Sequence, residues 1–363
     1  MPRKLTIALI EPFYAGSHKY WADRLTQLLD ARVVLFSLPG RHWKWRMSSA
    51  CVFLSEKVNT SNEDFDVFLV TDMLDVAAFK GLLNPVKSKL PVALYMHENQ
   101  IVYPFQTPLE LQQRDRQYGW INFKSVLASD VVWFNSDFHK EVFYERLPNF
   151  LQPFPESATL IKRIPECVKK SQVVPLGIDA HDLDQVKVSR SKRPVVLWNH
   201  RWEHDKNPEL FFSTLIELFD EGVDFELVVC GEHFGKHPKI FDIAKSKLST
   251  VIRHWGYFES REEYVHALWQ CTVLPVSSNQ EFFGLSVLEA VYCGVQPILP
   301  NRLSYPSLYD DRSIFYETNE EFKAQLRESL LKGEPSDYRH LAEQFSWEKV
   351  IPVYMDALAK VSA

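Results

Sequence analysis

The stretch that most constrains the fold of this chain spans residues 279–294 and reads NQEFFGLSVLEAVYCG. An apolar run, VLPVSS, precedes it and is typical of a buried parallel strand, whereas its second half has the apolar periodicity of a helix. The order is therefore strand, tight loop and helix. In open α/β sheets, ligands bind at the carboxyl ends of such strands, where the next helix presents free N–H groups and partial positive charge. The stretch therefore predicts an α/β fold with a binding site for an anion such as a diphosphate.

Two glutamates, Glu281 and Glu289, are separated by seven residues within this stretch. Glu281 falls in the loop, where its carboxylate is placed to contact a sugar, and Glu289 falls inside the helix, where it is placed to accept ribose hydroxyls. Gly284 lets the backbone approach a ligand closely because it has no Cβ. Acidic residues near a helix start are also favourable on electrostatic grounds alone. The complete pattern, including Phe282, Phe283 and Leu285, favours a ligand site over that simpler explanation.

Composition excludes several classes of protein. The 363 residues are enough for two domains, and 46% hydrophobic with 24% charged residues is typical of a globular protein. The net charge of −6 does not indicate a nucleic-acid binder, although a local basic patch is compatible with it. No apolar run has the length of a membrane span. The five cysteines are scattered without a CxxC pair, which predicts reduced thiols in a cytoplasmic protein.

The first apolar run, LTIALIEPF, predicts a buried strand that leads through YAGSHKYW into a helix. The turn lacks both the GxGxxG fingerprint and a P-loop, which argues against NAD and ATP binding here. Gly16 supplies a permissive turn and Ser17 an N-cap. His18 either faces the site or lies in the first turn of the helix without a role in binding.

A polar cluster follows another predicted strand of the first half. The strand LPVALYM ends in His97, Glu98 and Asn99. A single histidine is more often structural than catalytic, but this one has polar neighbours at the carboxyl end of a buried parallel strand. Active sites form at that edge of the sheet, so the cluster predicts functional residues.

The segment RHWKWR, residues 41–46, alternates basic or imidazole side chains with tryptophans, and we predict a surface loop for it. Arg41, Lys44 and Arg46 are suited to phosphates, while the flat rings of Trp43 and Trp45 are suited to bases or sugar faces. The alternative is a solvated basic loop whose tryptophans pack on the core. We refer to residues 41–46 as the aromatic-basic segment.

The second half begins after a linker near residue 177 with a new alternation of strands and helices. A strand that ends near Asn199 leads into a loop with Arg201 and Lys206, which we predict to form a diphosphate clamp. The alternative is two exposed cations on a polar loop. Tyr257 follows a later strand and is a weaker candidate for contact with a nucleobase. The pair His200 and His204 lacks a third ligand, and HExxH is absent, so no metal site is predicted.

The second half resembles the retaining glycosyltransferases with two Rossmann-like domains and a Glu-x7-Glu motif. Glu281 and Glu289 match that pair, Arg201 and Lys206 match the family's diphosphate-binding residues, and EFFGLSVLEAVYCG matches its core signature. The first half is similar to the tRNA-queuosine mannosyltransferases, because IEPFYAGSHKYWADRL and LPGRHWKWRMSSA fit the motifs EPFYxGSHxxW and LPxxxWxWRM. MHENQIVYP and NFKSVLASDVVWFNSDFH also look like that family. Ala15 departs from the paired glycines that are common in the wider family.

The resemblance implies an α/β fold of the GT-B type, in which two Rossmann-like domains face each other across a cleft and the C-terminal helix crosses back to the first domain. Residues 1–177 with 346–363 would bind the tRNA acceptor, and residues 178–345 the nucleotide-sugar donor. The implied enzyme moves mannose from GDP-mannose to the cyclopentene diol of queuosine in a tRNA anticodon, with retention and without a metal.

The residue patterns and the resemblance together predict three groups of site residues. Catalytic roles fall to His97, Glu281, Arg201 and Lys206. Donor binding falls to Gly16, Ser17, Arg201, Lys206, Tyr257, Phe282, Phe283, Gly284, Leu285 and Glu289. Acceptor and tRNA binding falls to His18, Arg41, Trp43, Lys44, Trp45, Arg46, Glu98 and Asn99. Three alternatives stay open: the same enzyme class with a lipid or small glycoside as acceptor, a non-catalytic RNA-binding protein on a transferase scaffold, and a phosphate-handling isomerase.

Overall fold

A computed structural model describes residues 4–102, 116–232, 235, 237–332 and 338–362 of the chain. It divides into two compact units. Unit 1 consists of Met1–Gly177 and Trp347–Ala363, and unit 2 consists of Ile178–Ser346. Both are built on a parallel sheet, as the alternating strands and helices of the sequence predict.

Unit 1 contains a six-stranded parallel sheet with the order β2-β1-β3-β4-β5-β6. Its strands are β1 (Thr6–Tyr14), β2 (Arg32–Pro39), β3 (Val67–Thr71), β4 (Val92–Met96), β5 (Val131–Phe134) and β6 (Ser171–Val173). The strand order reverses between β1 and β3. In a doubly wound sheet this reversal opens a crevice at the carboxyl ends of the two strands, which is where ligands bind.

The helices of unit 1 are α1 (Gly16–Leu28), α2 (Trp43–Thr60), α3 (Val76–Leu82), α4 (Gln117–Ala128), α5 (Asp137–Leu151), α6 (Ser157–Ile161), α7 (Ile164–Lys169) and the C-terminal α16 (Trp347–Ser362). Two local predictions are wrong. Trp43 to Arg46 form the first turn of α2 and not a loop, with His42 as N-cap in the left-handed region at φ 54°. Ser17 is not the N-cap of α1, because Ala15 holds that position and makes no side-chain capping bond.

The C-terminal helix α16 packs into unit 1. The hydroxyl of Tyr354 accepts a hydrogen bond of 2.8 Å from the indole nitrogen of Trp21, and both side chains are fully buried. Trp347 lies so close to Gly177 that a Cβ there would be 2.3 Å from the indole ring. The helix therefore completes the core of unit 1, although unit 2 separates it from the rest of that unit in sequence.

Unit 2 contains a second six-stranded parallel sheet with the order β12-β11-β10-β7-β8-β9. Its strands are β7 (Val195–Trp198), β8 (Glu226–Val229), β9 (Ile252–Trp255), β10 (Val273–Pro275), β11 (Gln296–Pro300) and β12 (Phe315–Tyr316). Here the order reverses between β7 and β10. The loop with Lys206 and the loop with Glu281 both leave the carboxyl ends of these two strands.

The helices of unit 2 are α8 (Ala180–Gln185), α9 (Pro208–Asp220), α10 (Ile240–Lys247), α11 (Arg261–Gln270), α12 (Leu285–Tyr292), α13 (Tyr305–Leu308), α14 (Asn319–Lys332) and α15 (Arg339–Glu343). A short 3-10 turn, His204–Lys206, precedes α9. The unit begins and ends at adjacent points, since the Ile178 amide donates to the Phe345 carbonyl at 2.8 Å. Across the described residues of both units, none of the helices is long and apolar enough to span a membrane.

Candidate active site

In unit 2 the ammonium group of Lys206 is enclosed by three oxygen acceptors. Its Nζ lies 2.8 Å from the carbonyl oxygen of Gln280, 3.3 Å from Oε2 of Glu281 and 3.1 Å from Oδ2 of Asp205. Only 9% of the side chain is exposed. Backbone bonds join the two loops, because the Asn279 amide donates to the Asp205 carbonyl at 2.7 Å. The structure thus brings together Lys206 and Glu281, which the sequence predicted for one site.

Glu281 is fixed by the loop that carries it. Its Oε1 accepts hydrogen bonds from the amides of Phe282 and Phe283, while Oε2 faces Lys206. Burial raises the pKa of this carboxyl group, but the ammonium of Lys206, with smaller contributions from His200 and the amide of Phe283, outweighs that effect and holds the pKa below its ordinary value. Glu281 is therefore an anion at neutral pH. The side chains of both phenylalanines are buried, and the ring of Phe283 packs edge-on against that of Phe345.

Gly284 connects this loop to helix α12. It is the N-cap of α12 at φ +86°, a left-handed conformation that side chains with a Cβ rarely adopt. A Cβ at this position would lie 3.5 Å from Cγ of Glu281. Leu285 is the first residue of the helix, so its amide belongs to the first turn, where N–H groups lack helical partners. Free N–H groups at the start of a helix are able to bind an anion, so the predicted diphosphate site stays a prediction for this helix start.

Arg201, the other predicted cation, has a different environment. Its side chain is 45% exposed, and its Nη2 lies 3.5 Å from Oε2 of Glu203. The backbone at the start of this loop packs closely against Gly231. A Cβ on Gly231 would lie 2.1 Å from the carbonyl oxygen of His200. Arg201 is thus accessible to a ligand, whereas Lys206 is already surrounded by protein acceptors.

Glu289 is held by two residues that the sequence did not single out. Its Oε1 accepts from Nη2 of Arg261 at 2.6 Å, and its Oε2 accepts from the hydroxyl of Tyr264 at 3.2 Å. Arg261 also donates from Nε to Asp182 at 3.1 Å. An ionised carboxylate has about four acceptor positions, so these two bonds do not use all of them. Tyr257, in the loop after β9, is half exposed.

In unit 1, four buried ionisable side chains meet at the reversal of strand order. Glu11 lies on β1, His18 in the first turn of α1, Asp72 directly after β3 and His97 directly after β4. Oε2 of Glu11 lies 3.2 Å from Nδ1 of His18, and the rings of His18 and His97 have centroids 4.2 Å apart. The sequence predicted functions for both histidines but missed the two acids. Glu11 stands inside an apolar strand motif, which was the available signal.

The neighbours of His97 have mainly structural contacts. Oδ1 of Asn99 accepts from the amides of Ile101 and Val102, and this bonding fixes the turn after β4. Glu98 accepts from the side-chain amide of Gln100 at 3.1 Å. Tyr103 and Pro104, which complete the motif MHENQIVYP, lie outside the described residues.

The turn at the start of α1 lies beside the aromatic-basic segment. Gly16 has φ +51° and open space around a hypothetical Cβ, and Ser17 follows it on the surface. A Cβ on Gly40 would lie 2.2 Å from Cβ of Ala15, so the segment's entry packs directly on this turn. The two elements therefore form one continuous edge of unit 1.

The aromatic-basic segment is divided between packed and exposed side chains. Trp43 packs against Tyr118 with ring centroids 5.1 Å apart, and Nζ of Lys44 lies 5.6 Å from the Trp43 ring. The side chain of Trp45 is 59% exposed. Arg41 and Lys44 are also exposed. Arg46 donates from Nε to the carbonyl of residue 39 at 3.1 Å. Packing therefore accounts for one tryptophan and leaves the other available to a ligand.

Comparison with known proteins identifies the chain. Residues 6–178 match the family model described as tRNA-queuosine alpha-mannosyltransferase N-terminal, and residues 179–345 match the one described as glycosyl transferases group 1. A Drosophila melanogaster protein named tRNA-queuosine alpha-mannosyltransferase is 33% identical over 98% of this chain and 96% of its own length. The chain belongs to the tRNA-queuosine alpha-mannosyltransferase family. Its second half is a group 1 glycosyltransferase domain, so this member of the family is a glycosyltransferase.

The chain is also similar to more distant proteins. The human alpha-1,3/1,6-mannosyltransferase ALG2 is 24% identical to this chain, and the aligned region covers 70% of this chain and 62% of ALG2. Among solved structures, the N-terminal domain of Candida albicans trehalose-6-phosphate phosphatase has a TM-score of 0.72 at 12% identity and covers 100% of this chain and 98% of its own. Anabaena HepE in complex with UDP has a TM-score of 0.67 at 12% identity, with coverages of 98% and 100%. At these identities the likeness shows the fold alone, and it confirms the two Rossmann-like domains.

Proposed function

We propose that this glycosyltransferase moves mannose from GDP-mannose to the cyclopentene diol of queuosine in a tRNA anticodon, with retention of configuration. Unit 2 would bind the donor and unit 1 the acceptor. The observation that carries the proposal is 33% identity to the Drosophila relative over nearly the whole chain, with Lys206 in contact with Glu281 at the reversal of strand order in unit 2. That contact supports a working donor site over a decayed scaffold.

The donor half of the mechanism is electrostatic. When the bond between mannose C1 and the diphosphate breaks, negative charge grows on the leaving oxygens. Arg201, Lys206 and the start of α12 supply positive charge and N–H donors that match it, so they stabilise the transition state more than the ground state. Glu281 keeps Lys206 in place and orients the sugar, and Glu289, fixed by Arg261, holds the ribose.

The acceptor half needs no strong base of its own. We propose that a diphosphate oxygen takes the proton of the acceptor hydroxyl as the new C1–O bond forms on the same face, with His97 orienting sugar hydroxyls. The aromatic-basic segment binds the tRNA. Arg41, Lys44 and Arg46 would neutralise phosphates, and the exposed Trp45 would stack on an anticodon base. Trp43 would contribute mainly by supporting this helix start, because it packs against Tyr118.

The decisive experiment incubates the purified protein with GDP-[¹⁴C]mannose and with tRNA that either contains or lacks queuosine. We expect label only in queuosine-containing tRNA. Label in a lipid extract or a small glycoside instead would assign another acceptor, and no label from any nucleotide sugar with any acceptor would refute the enzyme. Retention is read from the anomeric configuration of the released nucleoside.

The tRNA surface is tested by a charge reversal with a matched control. The triple variant Arg41→Glu, Lys44→Glu and Arg46→Glu should weaken tRNA binding and flatten the slope of log K against log salt by about 2 to 3. The control reverses three exposed basic residues elsewhere in unit 1, Lys162, Arg163 and Lys169, with the same change in net charge. Equal loss of affinity in both variants would show that only net charge matters and that the segment is not the tRNA contact.

A further inference from the structure

Four ionisable side chains are buried together in unit 1, at the point where the strand order reverses. Glu11, His18, Asp72 and His97 are each at least nine-tenths buried, and they come from three neighbouring strands and the helix after the first. Burying polar and charged groups is costly unless hydrogen bonds or opposite charges compensate. An arrangement of this kind at the ligand edge of the sheet therefore calls for a functional explanation.

Hydrogen bonds fix two members of the group. Oε1 of Glu11 accepts from the amide of Phe13 at 2.8 Å, and Oε2 lies 3.2 Å from Nδ1 of His18. This carboxylate therefore holds the His18 ring by one nitrogen and directs Nε2 away from itself. Oδ1 of Asp72 accepts from the backbone amide of His97 at 2.8 Å, which fixes the start of the turn after β4. Glu11 and Asp72 thus position the two histidines.

One atom of the group is left without a partner. Nε2 of His97 is buried and makes no hydrogen bond with any described part of the chain. Glu11, His18 and His97 each contribute one potential ligand atom to a set whose three atoms lie within 4.8 Å of one another. A buried imidazole nitrogen in this position lacks a hydrogen bond that a bound molecule can supply.

The two imidazoles carry different charges. Burial lowers the pKa of His18, but Glu11, with smaller contributions from Asp72 and Glu98, outweighs burial and raises the pKa to about 9. For His97, burial and then the neighbouring His18 and His139 lower the pKa well below its ordinary value. At neutral pH the pair is therefore an imidazolium, which only donates hydrogen bonds, beside a neutral imidazole, which can accept one.

We propose that Glu11, His18 and His97 form a binding site for two adjacent hydroxyl groups, with His18 donating to one oxygen and Nε2 of His97 accepting the proton of the other. A neutral diol suits the site better than a phosphate, because the carboxylates of Glu11 and Glu98 already face the cation of His18, together with Asp72, whose pKa burial raises to about 7. The inference rests on the proposed function and deepens it, since both the cyclopentene ring of the acceptor and the mannose of the donor carry vicinal hydroxyls.

The first test needs no substrate and so stands apart from the proposed function. The imidazole resonances of His18, assigned by loss in His18→Asn, are followed by NMR through a pH titration of the isotope-labelled protein. We expect a midpoint near 9 in the wild type and a fall to or below the ordinary value of about 6.5 in Glu11→Gln, because burial is then opposed only by the smaller contributions of Asp72 and Glu98. The exposed pair Arg32 and Glu63 provides the control Glu63→Gln, which should leave the midpoint unchanged. An unchanged midpoint in Glu11→Gln would refute the positioning role.

The second test adds diols to the same samples. Free mannose or cis-1,2-cyclopentanediol should shift the resonances of both His18 and His97, and trans-1,2-cyclopentanediol should shift them less. If no diol shifts either ring, the binding site is refuted even if the pair titrates as expected. A zinc ion that copurifies with the wild type and is lost in Glu11→Gln would also overturn the proposal, because the three side chains would then be ligands.

The third test uses the transfer reaction and separates the two sources of the diol. The pH profile of kcat/KM should fall above about pH 9 in the wild type. In Glu11→Gln, a pKa at or below about 6.5 lowers the protonated fraction at pH 8 by about 30-fold or more and lowers it much less at pH 6. A raised KM for tRNA alone would assign the site to the acceptor, and a raised KM for GDP-mannose with slower donor hydrolysis would assign it to mannose. A uniform loss at both pH values with unchanged KM values would refute it.

Discussion

Lys206→Ala is the substitution whose effect follows most directly from the structure. It removes the cation from between Asp205 and Glu281 and leaves two largely buried carboxylates facing each other. Breaking a buried ion pair by removing one partner costs about 3–5 kcal/mol. Glu281 keeps its bonds from two backbone amides, so we expect the lower end, about 3 kcal/mol of unfolding free energy. For a unit of this size that corresponds to a fall in Tm of about 6–12 °C.

The loss is measured by urea and thermal unfolding of the full chain, followed by tryptophan fluorescence and by hydrogen exchange in α9 and α12. The matched control is Lys323→Ala, which also removes a lysine that contacts two glutamates of unit 2, Glu217 and Glu221. That lysine lies on the surface, where solvent screens the pairs, so its variant should unfold at the wild-type midpoint. Transferase activity of Lys206→Ala should also fall by about 10²–10³-fold.

The pH dependence of unfolding provides a second test of the ion cluster around Lys206. The pKa of Glu281 is depressed in the folded protein, so its contribution to stability is present above its unfolded pKa and is lost as the pH falls through the folded value. In Lys206→Ala the strongest opposition to burial is lost, so the pKa of Glu281 should rise, and its protonation should restore stability as the pH falls from 7 to 5. The gap between variant and wild type should therefore narrow on acidification. A gap below about 1 kcal/mol, or one that is equal at both pH values, would refute the enclosed ion cluster.

Three further variants test separate parts of the fold and site. Gly231→Ala places a Cβ 2.1 Å from a backbone oxygen in a residue with φ +110°, so it should lower the free energy of unfolding in urea by about 3 kcal/mol or more. Its control, Gly222→Ala, also has a positive φ but has open space around the new Cβ, and it should lower the free energy of unfolding by about 1 kcal/mol. Tyr354→Phe removes the acceptor of the buried Trp21 indole N–H and should lower stability by about 1–3 kcal/mol, with the loss located in unit 1 by hydrogen exchange. Trp45→Ala should leave stability within about 0.5 kcal/mol but weaken tRNA binding, measured by filter binding, by about 1–3 kcal/mol.

The fold was predictable because its signals are local and repeated. Buried strands such as Ile7 to Ile10 and Val67 to Val70 are continuous apolar runs, and each is followed by a turn and an amphipathic helix. The contact between Lys206 and Glu281 was also within reach, because both residues follow strands whose carboxyl ends share one edge of a parallel sheet.

The features that the sequence did not predict depend on contacts between residues far apart in the chain or on a rare backbone conformation. Arg261 reaches Glu289 and Asp182 across different elements, and nothing in its own helix indicates that role. In the sequence, Glu11 is a polar residue inside an apolar strand. Its contact with His18 is visible only in the structure. The start of α2 was missed because His42 takes a left-handed conformation that is rare for side chains with a Cβ, so the aromatic-basic segment resembled a loop.

The position of α16 has a consequence for how the protein is made. During synthesis, every strand of both sheets leaves the ribosome before this helix, and unit 2 is complete while unit 1 still lacks the partner of Trp21. A nascent chain that stops after Ser346 therefore carries its defect in the part that was translated first. Nonsense mutations in the codons of α16 should therefore expose apolar surface on unit 1 and mark the truncated product for degradation, although both described sheets keep all of their strands.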